Sequence, residues 1–118
     1  MSPRYQVFII EKLKGKEERI GTLYHHLDGY PERMVPMLNE AIKKWKNEAI
    51  KGFVGRNELV NYIIAEDPAR YEIGSINEKI RPDTVYLYKI SLRYNGKTGK
   101  WLVQVKTINR KGIKMRLR

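Results

Sequence analysis

The sequence predicts one α+β domain spanning residues 1–118, with an antiparallel sheet of four to five strands and two helices packed on one face. Two observations lead to this prediction. Apolar, β-rich runs lie near both ends of the chain, whereas in the middle apolar residues recur every three or four residues. Strands that bracket consecutive helices favour α+β over alternating α/β. A chain of 118 residues can build one hydrophobic core but not two independent ones.

The N-terminal part predicts a hairpin. Residues 5–13 carry apolar side chains on both faces, which is typical of a central strand covered on both sides. Residues 14–18 form a charged turn, and residues 20–27 return as a second strand, so an antiparallel hairpin is expected. Because side chains alternate along a strand, His25 and His26 should point to opposite faces.

Two helices follow in the middle of the chain. Apolar residues between Met34 and Ala49 mark one face of an amphipathic helix. Pro36 implies either a separate first turn or a bend in this helix. The second helix is predicted from Asn57 to Glu66, before Pro68. A short strand is expected over residues 71–73, followed by a loop.

The C-terminal part predicts a second hairpin, in which alternation sets the register. Tyr94 should face Trp101, and Lys89 should face Lys106. Residues 110–118 form a basic tail or an edge strand. An exposed final strand would favour a homodimer formed through strand edges.

The charge of +11 is concentrated late in the chain. Residues 1–80 contain 13 Lys+Arg and 12 Asp+Glu, so their charges nearly balance. Residues 81–118 contain 11 Lys+Arg and a single acidic residue, Asp83. Such asymmetry is typical of proteins that contact the phosphate backbone of DNA or RNA without reading sequence. The alternative is a solvated face, or cations matched by acids such as Glu17, Glu18, Glu66 and Asp67. The predicted contacts are Lys89, Arg93, Lys97, Lys100, Lys106, Arg110, Lys111, Lys114, Arg116 and Arg118.

Residues 24–32, called the corner below, join the second strand to the first helix. Asp28 and Gly29 supply turn chemistry, and Pro31 presets φ for a first helical turn. The corner is either a rigid structural connection or a surface presented to a partner protein. Its candidate residues are Tyr24, His25, His26, Asp28, Gly29, Tyr30 and Pro31.

Tyr24 followed by Asp28-Gly29-Tyr30-Pro31, together with the aromatic run at residues 86–90, resembles a group of small uncharacterised proteins encoded by bacteriophages and archaeal viruses. The resemblance covers residues 5–108. It implies a viral setting, and therefore the host cytoplasm, and it supplies no catalytic residue. The expected function is a small viral accessory protein that binds nucleic acid, and the alternative is a protein that blocks a host defence factor through the corner. Separately, dense Lys, Arg, Glu and Ile without cysteine suit a heat-adapted host.

Several function classes find little support. The absence of cysteine excludes disulfides and thiolate metal sites, and the apolar run at residues 7–10 is too short for a membrane span. We predict no metal, no cofactor, no membrane partner and no identifiable catalytic residue. The enzymatic alternatives are a replication nickase, for which adjacent histidines have the wrong spacing, and a nuclease using His25 or His26 with Asp28 and Lys12. A non-enzymatic, cytoplasmic protein is therefore expected.

Overall fold

The structure, a computed structural model, describes residues 3–26, 28–67 and 71–110. Within these ranges it confirms the α+β class, with a five-stranded sheet and two helices. The strands are β1 (Tyr5–Leu13), β2 (Lys16–His25), β3 (Glu72–Ile73), β4 (Tyr86–Asn95) and β5 (Lys100–Asn109). The helices are α1 (Pro31–Ala49) and α2 (Leu59–Glu66), the latter preceded by a 3₁₀ turn at Arg56–Glu58. No helix in the described part of the chain is both long and apolar enough to cross a membrane.

The sheet has the order β3-β2-β1-β4-β5, with β1 at its centre. Three of the four neighbouring pairs are antiparallel, as predicted, but β1 and β4 run parallel. The chain leaves the first hairpin, passes through both helices and re-enters beside β1 in the same direction. The turns of both hairpins therefore lie at the same end of the sheet.

The N-terminal hairpin has a tighter turn than the sequence predicted. Lys14 and Gly15 have φ of 36° and 79°, which is the geometry of a two-residue primed turn. Strand β2 consequently begins at Lys16, four residues before the predicted start. A register shift follows, because Ile9 pairs with Gly21 whereas Ile10 pairs with Arg19.

One face of the sheet, called the closed face below, packs against both helices. Its buried side chains are Tyr5, Val7, Ile9, Leu23, Tyr88, Ile90 and Leu92. The helices contribute Met34, Leu38, Ala41, Ile42, Trp45, Leu59 and Ile63. Pro36 lies inside α1, so the first turn is part of the helix and not a separate loop. The apolar spacing that predicted the helix also identified its buried face.

The C-terminal hairpin has the predicted register. Tyr94 pairs with Trp101, and Lys89 pairs with Lys106. The helix-side positions of β4 are apolar, so a slip by one residue would bury lysine in the core.

The opposite side of the sheet, called the open face below, is only partly covered. Its side chains include Phe8, Ile10, Lys89, Ser91, Arg93, Lys100, Leu102, Gln104 and Lys106. Residues 74–84 cross one end of it. There the Gln6 Oε1 atom accepts hydrogen bonds from the Arg81 backbone N–H and the Thr84 hydroxyl, at 2.9 and 2.7 Å. The sequence predicted a loop in this region but not that it packs on the sheet.

Candidate nucleic-acid interface

The open face carries a basic patch, formed by Lys89, Arg93, Lys100 and Lys106. Lys89 and Lys106 are paired directly across β4 and β5. Arg93 follows on the same side of β4, and Lys100 enters the same side because it pairs with Asn95. Like charges placed directly opposite one another destabilise a sheet by some tenths of a kcal/mol. The patch therefore has an electrostatic cost to the fold.

No carboxylate forms an ion pair with the patch within the residues that the structure describes. None of their Asp or Glu oxygens comes within 4.0 Å of a charged nitrogen of the four patch residues. Three of the acids considered as partners are engaged elsewhere, since Glu17 pairs with Lys12, Glu66 with Lys44 and Asp67 with Arg33. Those three acids do not form ion pairs with the patch.

The parallel pairing of β1 with β4 extends the positive surface beyond the C-terminal hairpin. This parallel pairing brings the β1–β2 turn next to Arg93. A cavity of about 220 Å³ lies between them. The cavity is lined by Lys12, Lys14, Gly15, Lys16, Glu17 and Arg93. Sequence reasoning treated Lys14 and Lys16 only as part of a charged turn and Lys12 only as a candidate for a nuclease site. Nothing in the local pattern reveals which way β4 runs beside β1, so their closeness to Arg93 was not predicted.

A second depression lies where residues 74–84 meet the open face. This groove has a volume of about 410 Å³ and is lined by Phe8, Ile10, Glu17, Arg19, Lys79, Ile80 and Lys89. Sequence reasoning assigned no function to Arg19, Lys79 or Ile80. The isoleucines at 76 and 80 in an otherwise polar stretch were the available signal that this loop packs on something.

Arg19 is held rigidly at the groove. Its guanidinium carbon lies 3.7 Å from the centroid of the Phe8 ring, which is cation–π geometry. One of its N–H groups donates to the Glu78 carbonyl, and the Thr22 hydroxyl lies 3.5 Å away. Burial lowers the pKa of Arg19 from its ordinary value. The second stack on this side of the sheet places Arg81 over the Tyr24 ring at 3.8 Å.

The remaining predicted contacts divide into three groups. Lys97 is exposed in the β4–β5 turn, beside the patch. Arg110 donates instead to the carbonyls of Arg81 and Thr84, at 2.8 and 3.2 Å, so it holds residues 74–84 against the sheet. Lys111, Lys114, Arg116 and Arg118 lie outside the described residues, as does the choice between a basic tail and an edge strand.

The corner has a structural explanation in its tight packing. The Gly29 N–H donates to the Pro3 carbonyl at 3.1 Å, and the Gly29 carbonyl accepts from the Tyr88 hydroxyl at 2.5 Å. A Cβ on Gly29 would lie 2.5 Å from Tyr5 Cδ1, so only glycine fits there. Asp28 has a φ of 62°, and Pro31 occupies the first turn of α1. Asp28, Gly29 and Pro31 thus match the backbone geometry and packing of this connection.

The structure separates the corner side chains instead of gathering them. The His25 ring lies 5.8 Å from the ring of Tyr5, on the closed-face side. The His26 ring instead contacts Tyr24 at 4.9 Å, and its Nε2 lies 3.2 Å from Glu72. The histidines therefore point to opposite faces, as predicted. No group of three or more His, Asp or Glu side chains in the described ranges is arranged to hold a metal ion.

A buried polar cluster supports the corner from beneath. The Asp67 carboxylate, which is 2% exposed, accepts from the Tyr71 hydroxyl at 2.5 Å and from the Arg33 guanidinium at 3.2 Å. Arg33 Nε also donates to the Asp28 carbonyl at 2.7 Å. Burial raises the pKa of Tyr5 to about 12 and also raises that of Tyr71. These phenols remain neutral hydrogen-bond donors near pH 7, and the cluster locks α1 to the corner.

No protein-family model matches this chain, and no similar protein was found among curated sequences or solved structures. Its function must therefore be argued from the geometry and charge described above.

Proposed function

We propose that this protein binds the backbone of DNA or RNA through its open face, without sequence preference, as a non-enzymatic accessory protein. The observation that carries the proposal is the Lys89–Lys106 pair, placed directly opposite on an open sheet with no carboxylate within 4.0 Å among the described residues. A fold that keeps such a pair retains a small electrostatic cost. A bound phosphate would remove that cost.

The composition of the patch favours backbone contact over base reading. Lysine is a flexible point charge with three donors, whereas arginine presents a planar fork that suits bidentate recognition of guanine. Three of the four patch residues are lysines. All four project from the surface of a sheet, whereas base reading commonly uses a helix that enters the major groove of DNA. We therefore expect affinity to depend strongly on salt and weakly on sequence.

The proposal is tested by fluorescence anisotropy with a labelled oligonucleotide over a salt series. We compare the wild type with the double variant Lys89→Gln/Lys106→Gln. The matched control is Lys43→Gln/Lys46→Gln, which removes the same net charge from exposed positions of α1. With a single strand, the patch variant should reduce the slope of log K against log salt by about 1.4, which corresponds to two phosphate contacts. The control should retain the wild-type slope.

Two results would overturn the proposal. The first is no binding near physiological salt, where even non-specific complexes should be detectable at high protein concentration. The second is an equal loss of affinity in the patch and control variants, which would mean that net charge alone, and not the open face, is responsible.

A second candidate function is protein binding through the corner. It is favoured by Tyr30, which is 47% exposed and follows the buried Gly29 on the same connection as the exposed residues His26 and Asp28. Exposed tyrosines on fixed backbone are common anchors in interfaces. Tyr30→Ser should leave both folding and nucleic-acid affinity unchanged under this hypothesis. A drop in nucleic-acid affinity would instead connect Tyr30 with the first function.

A further inference from the structure

We infer that the preferred ligand is an unpaired nucleic-acid strand, with one base seated in the groove beside residues 74–84. This inference rests on the proposed function, and it adds which form of nucleic acid the open face selects. The groove differs from the basic patch because apolar and charged side chains line it together. That combination suits a ligand with both a weakly polar part and a charged part, whereas a row of phosphates offers only charge.

The apolar part of the groove comes from two sources. Phe8 and Ile10 belong to the central strand, and Ile80 approaches from residues 74–84, with 39% of its surface exposed. Phosphates gain nothing from such a surface, since their contacts need only cations and N–H donors. Phe8 itself is buried beneath Arg19, so the accessible apolar surface belongs to Ile10 and Ile80. A duplex keeps its bases stacked inside, so it would leave these two isoleucines partly exposed to water. An unpaired nucleotide offers a flat, weakly polar base next to its own phosphate.

The charged part of the groove suits the same ligand. Lys79 and Lys89 both line it, and Lys89 also belongs to the basic patch, so a strand can leave the groove along the patch. Glu17 lines it as well, and its carboxylate repels phosphate. The phosphates are therefore expected over Lys89 and Lys106, and the base within the groove.

Arg19 offers a prepared stacking surface for that base. Its guanidinium plane is supported by the Phe8 ring on one side and fixed by its hydrogen bond to the Glu78 carbonyl. Unstacked bases pack on arginine planes as they do on aromatic rings. Because Arg19 is already ordered, little conformational entropy is lost when a base packs on it.

The inference is tested with three labelled probes that have the same number of phosphates: oligothymidine, an abasic phosphodiester strand and a hairpin duplex. At equal salt, oligothymidine should bind about tenfold more tightly than the abasic strand, because stacking of one base has that magnitude. The variant Ile80→Ala should reduce the ratio of the affinity for oligothymidine to the affinity for the abasic strand. Its affinity for the abasic strand itself should not change. Ile76→Ala is the matched control, since Ile76 is exposed in the same segment but does not line the groove.

The outcomes separate this inference from the proposed function. Equal affinity for oligothymidine and the abasic strand, or tighter binding of the duplex, overturns the inference and leaves backbone binding intact. Failure of all three probes to bind removes both. If Ile76→Ala narrows the ratio as much as Ile80→Ala, the groove is not where the base lies. Circular dichroism and thermal melting show whether each variant is folded. Lys79→Gln changes an exposed residue that lines the groove, so it should weaken oligothymidine binding without affecting folding.

Discussion

The closed and open faces of the sheet are built from the same strands but differ in how their polar groups are satisfied. On the closed face the Tyr88 hydroxyl donates to the Gly29 carbonyl, within a core of buried side chains. On the open face the neighbouring Lys89 stands opposite another lysine. Adjacent residues of β4 thus have different roles, because side chains alternate along a strand and point in turn to the core and to solvent. Stability should depend on the first face and binding on the second.

The largest expected effect concerns a glycine that packs against the closed face, compared with one that contacts nothing. Gly29→Ala should destabilise the protein by about 3 kcal/mol, because the added methyl group would overlap Tyr5 of the closed face. Gly96→Ala, in the β4–β5 turn, meets no atom within 4 Å and should change stability by less than about 0.5 kcal/mol. Urea denaturation of the two variants measures this. Similar losses in both would show that the corner is not tightly packed.

The second prediction concerns alkaline pH, to which the closed face should be sensitive. Burial raises the pKa of Tyr5 from 10.0 to about 12, and it also raises the pKa of Tyr71 and Tyr88. A raised pKa in the folded state means that the unfolded chain loses its protons first. The contribution of Tyr5 is therefore complete below pH 10 and is lost between pH 10 and about 12.

Denaturation at pH 9, 10 and 11 checks this expectation. Each buried phenol should lower the free energy of unfolding by up to about 1.4 kcal/mol per pH unit once the unfolded chain ionises. Tyr88→Phe removes one such proton and should reduce the slope accordingly, at the cost of the hydrogen bond to Gly29. A slope that is the same in Tyr88→Phe as in the wild type would contradict the role of burial.

The smallest expected effect lies on the open face and has the opposite sign. Lys106→Glu converts a like-charge pair with Lys89 into an attractive one, so it should stabilise the fold by about 0.5 kcal/mol at low salt. The gain should disappear in high salt, which screens exposed charges. The same variant should bind oligonucleotides more weakly. Destabilisation at low salt would mean that the lysine pair is already relieved within the protein.

Local pattern predicted much of the fold. The alternation in residues 86–105 predicted the hairpin register, because any slip would bury Lys89 or Lys106 in the core. The three- and four-residue spacing predicted α1, although it did not decide whether Pro36 interrupts the helix. The opposite orientation of His25 and His26 followed from strand geometry alone. Each of these features depends on residues that are close in sequence.

The interface could be predicted only in part, since it depends on contacts between distant segments. The sequence predicted Lys89, Arg93, Lys100 and Lys106 as a group, and pairing brings them to one face. It did not predict that Lys12, Lys14 and Lys16 lie beside Arg93, or that Arg110 holds a loop instead of joining the patch. The two-residue turn of the first hairpin was also missed. The sequence predicted a longer turn over residues 14–18, because their charged composition does not show that only Lys14 and Gly15 have positive φ.

By itself, the sequence determined the α+β class, the two hairpins, the helical faces and the concentration of positive charge after residue 80. Each follows from periodicity or composition, which act over a few residues. Only the tertiary structure decided that β4 runs parallel to β1 and that residues 74–84 pack across the open face. Those choices depend on how two helices cross the sheet and where the returning chain finds unpaired backbone, which no short stretch of sequence encodes.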